Sequence, residues 1–155
     1  MRSLKHTVEI HAPASVVWRV LTTRDLVREW AEAFREGIDI RCAWRKGASV
    51  EWKAGDGTVF LRGVVGAFEP ERHLRFDYPL DPESRSPARD GAFHDAWTLA
   101  GDRRATALTF TTGPLAPGAY AEFGAPHRTA AETIKSLAEE AAAIQRSSNS
   151  PSPNR

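Results

Sequence analysis

The sequence predicts an α+β domain in which an antiparallel β-sheet of about seven strands curves around a long C-terminal helix, with two short helices between the first and second strands. Three observations carry this reading. Period-two alternation recurs in short segments through the middle of the chain. The connections between those segments are too short for crossovers, so neighbouring strands run antiparallel. Helical periodicity is confined to the stretch after Pro13 and to the C-terminal part, so the last helix must cover the sheet's apolar face.

The elements follow in order. Lys5 to His11 alternates, with Val8 and Ile10 on one face, and Ala12-Pro13 ends that strand. Val16, Val17, Val20 and Leu21 then recur at helical spacing; Thr22-Thr23 breaks the pattern, and Thr23 is placed to cap a second helix through Leu26, Val27 and Trp30. From Gly37 the period becomes two: Ile38, Ile40, Cys42 and Trp44 share a face, then Val50 and Trp52, with Asp56-Gly57 marking a hairpin. In Thr58 to Glu69, Val59, Leu61 and Val65 point inward but Phe68 has the wrong parity, which predicts a bulge near Gly63 or Gly66. Leu74, Phe76 and Tyr78 form the next inner face. The Pro-bearing loop Pro79 to Gly91 leads to a last hairpin, Phe93 to Leu99 and Ala105 to Thr112. A Gly/Pro-rich stretch to Gly124 precedes the final helix, expected over 126–145, whose apolar stripe is Ile134, Leu137, Ala138, Ala141 and Ile144.

A chain of 155 residues suits one domain, which is expected over 1–146, with 147–155 a disordered tail. Twenty-one basic residues balance twenty acidic ones with no long block of either sign, so nothing marks a nucleic-acid surface. Cys42 is the single cysteine and excludes an intrachain disulfide. No segment has the length and apolarity of a signal peptide or a membrane span, and the expected compartment is the cytoplasm. Oligomeric state is not legible.

Asp95 shares parity with Trp97 and Leu99 and so points inward, where alternation calls for an apolar group; burial there raises a carboxyl pKa. The competing reading is a solvated strand end. Trp52, Leu61, Phe76, Tyr78, Trp97 and Phe110 are the other inward side chains, and with Asp95 they are the expected ligand pocket. His6 has inward parity but reads as an exposed strand start, and His11, His73 and His127 read as surface or turn residues. No metal-ligand spacing or cofactor motif occurs, and Ser84 and Ser86 lie in a segment expected to be mobile, with no fixed base.

The run Ile10-His11-Ala12-Pro13 through Val17-Trp18 and Leu21-Thr22, then Trp30, Trp44-Arg45-Lys46-Gly47, Val50-Glu51-Trp52, Gly63-Val64-Val65, Phe68 to Leu74, and Thr106 to Phe110, resembles the START-like helix-grip superfamily (SRPBCC, the birch-pollen-allergen fold). Within it the chain is most similar to the branch named after the activator of the heat-shock-protein-90 ATPase, over about residues 5 to 145. It departs from that branch at Arg128-Thr129-Ala130-Ala131, where an aromatic is usual. The resemblance implies a cavity between sheet and helix for a small hydrophobic partner, lipid-like or aromatic. Two alternatives accompany it: a polyketide-cyclase or hydratase activity using Asp95 with Tyr78 or His6, and a chaperone ATPase-activating role.

Overall fold

The computed structural model describes residues 1–148. Its strands are β1 (Arg2–Ile10), β2 (Asp39–Cys42), β3 (Ser49–Lys53), β4 (Val59–Glu69), β5 (His73–Tyr78), β6 (Phe93–Gly101) and β7 (Thr106–Leu115). They form one antiparallel sheet in the order β1-β7-β6-β5-β4-β3-β2. Two helices, α1 (Ala14–Thr22) and α2 (Arg24–Ala31), carry the chain from β1 at one edge to β2 at the other. The long helix α3 (Pro117–Ser148) packs on β1 and β7 and touches both short helices.

Two bulges shape β4. Val65 pairs with Phe76 and Ala67 with Arg75, which leaves Gly66 as the extra residue and brings Phe68 opposite Leu74. A Cβ there would lie 1.9 Å from Asp77 Oδ2, so a larger residue would displace the Asp77 and Arg75 side chains. The second bulge is at Phe60: Trp52 pairs with Leu61 but Lys53 with Val59. Strict alternation would send Phe60 and Leu61 to opposite faces; the bulge lets both reach the same pocket.

The core is aromatic. Trp30 from α2 meets Trp97 edge-on at 5.5 Å, Trp97 stacks on Phe110 at 4.8 Å, and Phe76 closes on Trp97 at 5.2 Å, all of them buried. Trp18 packs α1 onto the sheet through Phe68.

The final helix departs from expectation at both ends. It begins at Pro117 rather than Pro126, so Gly118, Gly124 and Pro126 all lie inside it. Their poor helix propensity is outweighed by packing: Tyr120 stacks under the Arg2 guanidinium at 4.3 Å and Phe123 joins the core. The buried stripe is His127, Ala130, Ala131, Ile134, Ala138 and Ala142. Leu137 and Ala141 are half-buried, and Ile144 is 60% exposed, because it stands about 200° round the helix from Ala142. The helix includes Ser147 and Ser148, and the rest of the expected tail, 149–155, lies outside the described residues.

Candidate functional site

Asp95 sits on β6, in the interior of the sheet, with Phe76 of β5 beside it on one side and Thr112 of β7 on the other. Alternation with Trp97 and Leu99 turns its carboxyl to the helix side, and Asp95 is 5% exposed. It forms part of the wall of a cavity of about 180 Å³ between the sheet and the N-terminal half of α3. Trp52, Phe60 and Leu61 from β3 and β4 supply one side, Phe93 and Leu115 the floor with Asp95 and Thr112, and Phe123 and His127 the helix side. Phe34 follows α2 onto the wall, its ring edge-on to Trp52 at 5.8 Å. Arg35, Arg85 and Glu122 stand on the wall with their side chains exposed.

The segment Pro79 to Gly91 borders this cavity and is fastened to it. Ser84 Oγ donates to the Phe60 carbonyl at 2.9 Å and lies 2.7 Å from Ser86 Oγ, which caps the single 3-10 turn Pro87–Arg89 by accepting from the Ala88 N–H. The two serines expected in a mobile segment are thus anchored, and Ser86 is buried.

The expected pocket residues divide into three groups. Trp52, Leu61 and Asp95 lie on the cavity wall. Tyr78 is buried just behind it, bonded to two wall residues. Phe76, Trp97 and Phe110 pack on one another in the core instead.

Polar groups at the floor form one line. Trp52 Nε1 donates to the Tyr78 hydroxyl at 3.0 Å, and Tyr78 donates to Asp95 Oδ2 at 2.7 Å. Thr112 Oγ1 lies 2.5 Å from Asp95 Oδ1, His127 Nε2 lies 3.0 Å from Thr112 Oγ1, and His6 Nδ1 lies 2.6 Å from His127 Nδ1. His127, read from the sequence as a surface or turn residue, is fully buried, and His6, read as exposed, is half-buried against it. The physical reason is the early start of α3, which puts His127 in the third turn on the buried stripe, seven residues before Ile134. Thr112 shares parity with Phe110 and Leu108 and was legible as inward, yet a threonine in a strand gives no signal of function.

Burial pushes the Asp95 carboxyl up to about 6, against the opposing hydrogen bonds from Thr112 and Tyr78. Burial, and then the neighbouring Asp95 charge, raises the Tyr78 phenol well above its ordinary value. Burial, reinforced by His6, lowers His127 to about 3, so its ring is neutral at physiological pH. His6 is lowered too, by burial and then Arg128, with Glu132 opposing. Among the described residues no group of three or more His, Cys, Asp or Glu could hold a metal ion, and no helix is long and apolar enough to cross a membrane.

The profile of the family described as activator of Hsp90 ATPase homolog 1-like protein matches residues 11–142. The chain belongs to that family. None of the curated proteins compared with this member matches it. Solved structures similar to this family member include protein MLL2253 from Mesorhizobium loti, at 23% identity and TM-score 0.70 over 90% of this chain and 98% of the other. The Aha1 dimer from Colwellia psychrerythraea is similar at 17% identity and TM-score 0.68, over 90% and 97%. CalU16 from Micromonospora echinospora is similar at 16% identity and TM-score 0.66, over 99% and 78%. At these identities the likeness establishes the helix-grip architecture and nothing finer.

Proposed function

We propose that this family member binds one small, largely apolar molecule in the cavity between α3 and the sheet, and that Asp95 takes a hydrogen-bond donor on that molecule. The observation that carries the reading is a carboxyl group, 5% exposed, set among Trp52, Phe60, Leu61, Phe93, Leu115 and Phe123 of the cavity wall. Tyr78 and Thr112 each donate to one oxygen of that carboxyl, which leaves a further lone pair on each oxygen for a ligand donor. Mostly apolar walls with a few placed polar groups are what small-molecule sites have in common.

Cavity size narrows the ligand class. About 180 Å³ is close to the roughly 150 Å³ cavities that hold benzene, and below the range of sites for drug-sized ligands. A single substituted ring, such as a phenol or an aniline, fits this volume, whereas a long acyl chain does not. Exposed Arg35 and Arg85 would meet any anionic substituent that projects outward.

Trp52 on the wall provides the test. Titration with phenol should quench tryptophan fluorescence in the wild type, less so in Trp52→Phe, and Asp95→Leu should weaken phenol far more than it weakens toluene. Equal losses for the two ligands would remove Asp95 from the reading; no saturable binding of either would end it.

A second reading, acid–base catalysis on the bound molecule, draws support from the same carboxyl, since a group pushed up to about 6 exchanges protons near neutral pH.

A further inference from the structure

Donor and acceptor rules fix the direction of each hydrogen bond in the line from Trp52 to His6. The Trp52 indole can only donate, so the Tyr78 oxygen accepts from it and the Tyr78 hydrogen is committed to Asp95 Oδ2. That leaves Oδ1, facing Thr112, as the carboxyl oxygen able to gain or lose a proton within the line. With the carboxylate ionised, Thr112 donates to Oδ1. His127 Nε2–H then donates to Thr112, and His127 Nδ1, bare because the ring is neutral, accepts from His6 Nδ1–H. His6 Nε2 is left as an acceptor at the half-exposed end.

We propose that His6, His127 and Thr112 conduct protons between solvent and the Asp95 carboxyl, so that the pocket floor is charged and discharged from the β1 side rather than through the pocket. In the loading direction a solution acid, hydronium or a buffer acid, gives a proton to His6 Nε2. The His6 Nδ1 proton passes to His127 Nδ1, the His127 Nε2 proton to Thr112 Oγ1, and the Thr112 hydroxyl proton to Asp95 Oδ1. Each transfer breaks one N–H or O–H bond and forms another. The solution acid leaves as its conjugate base, both histidines end neutral with their tautomers inverted, and Asp95 alone has lost its charge. Each hydrogen bond between Asp95 Oδ1 and His6 then runs in the opposite sense between the same atoms, so no heavy atom has to move.

The other ionisable groups around the line lie at its margins. On α3, Arg128 and Glu132 act on His6 in opposite directions, and Glu122 lies on the cavity wall with Arg35 and Arg85. Tyr78 on β5 is held in its protonated form, raised by burial and by Asp95 and to a lesser extent by Cys42. None of these interrupts the path between His6 and Asp95. A carboxyl pushed up to about 6 would be exchanging protons near neutral pH, where a path to solvent is of use. The relay is independent of what occupies the cavity, so it stands or falls separately from the binding proposal.

Nitrogen-15 NMR of the histidine rings, recorded with the carboxyl carbon-13 shift of Asp95 from about pH 8 down to about pH 5, tests it directly. The expected result is that His127 carries its hydrogen on Nε2 above the Asp95 midpoint and on Nδ1 below it, both changes sharing one midpoint. Thr112→Val should abolish the inversion of His127, and Thr112→Ser should restore it. A His127 tautomer that stays fixed while Asp95 titrates overturns the proposal, as does an inversion that persists in a folded Thr112→Val protein. If the valine variant does not fold, the wild-type titration decides alone.

Discussion

The His127 imidazole lies flat on the Phe110 ring, with 3.8 Å between centroids and 14° between planes. Its ring nitrogens face Thr112 and His6, and the site favours a neutral ring, which is why His127 falls to about 3 while Asp95 rises to about 6. The two shifts oppose each other in stability. His127 binds its proton more readily unfolded, so its contribution is full above its unfolded value of 6.5 and is lost as pH falls toward 3. Asp95 binds its proton more readily folded, so its contribution is present in acid and lost as pH rises from its unfolded 3.8 through about 6. Between those two pH values the pair binds equal numbers of protons in both states and its contribution is flat. Asp95→Asn removes one half. From about pH 6 to about pH 4 the wild type should gain on this variant by about 1.4 kcal/mol per pH unit. Urea titrations of both proteins across that range read the difference, and parallel curves would contradict it.

Trp97→Ala should cost about 3–5 kcal/mol, because the indole is fully buried between Trp30, Phe76 and Phe110. Trp97→Phe should cost much less. Among the described residues the Trp97 Nε1–H has no hydrogen-bond partner, so the phenylalanine removes an unsatisfied donor as well as volume. Thermal or urea unfolding of the two variants gives the ratio, and equal losses would mean that the indole N–H is satisfied.

Gly63→Ala should damage the site through Tyr78. A Cβ there would lie 2.3 Å from the Asp77 carbonyl oxygen and 2.6 Å from Tyr78 Cδ1, so strand β5 and the phenol must shift. A loss of about 1–3 kcal/mol is expected, together with a changed Asp95 titration. Gly118→Ala is the contrasting case: nothing lies within 4 Å of its Cβ position in α3, and a gain of up to about 1 kcal/mol is expected. A destabilised Gly118→Ala variant would indicate that α3 does not begin as early as Pro117.

What could be read from the sequence followed the strength of the local pattern. The antiparallel meander of β2 to β7 comes from short connections. The bulge beside Gly66 and the inward parity of Asp95 come from period-two alternation, which a strand enforces residue by residue, whereas the pairing of β1 with β7 leaves no local mark. The second bulge, at Phe60, leaves no comparable mark, so Phe60 was not singled out. His127 was missed because Gly118, Gly124 and Pro126 disguise the start of α3, and tertiary contacts at Tyr120 and Phe123 decide that boundary. Phe76, Trp97 and Phe110 have the inward parity assigned to them, but parity does not distinguish a cavity wall from a packed core. That distinction depends on how closely α2 brings Trp30 to the sheet.

The pairing of β1 with β7 has a consequence for how the protein is made. Among the described residues β1 has one sheet neighbour, β7, which ends at Leu115, so β1 cannot complete its pairing until the segments between the two have been synthesised. Further ties then join the same strand to the last helix, from Lys135 to the Glu9 carbonyl, from the His11 N–H to Glu139 and between His6 and His127. Closure of that seam therefore requires the chain as far as Glu139. The hydrogen-bonded line behind the buried acid crosses the same seam, so it is complete only once His127 of α3 has reached His6 of β1.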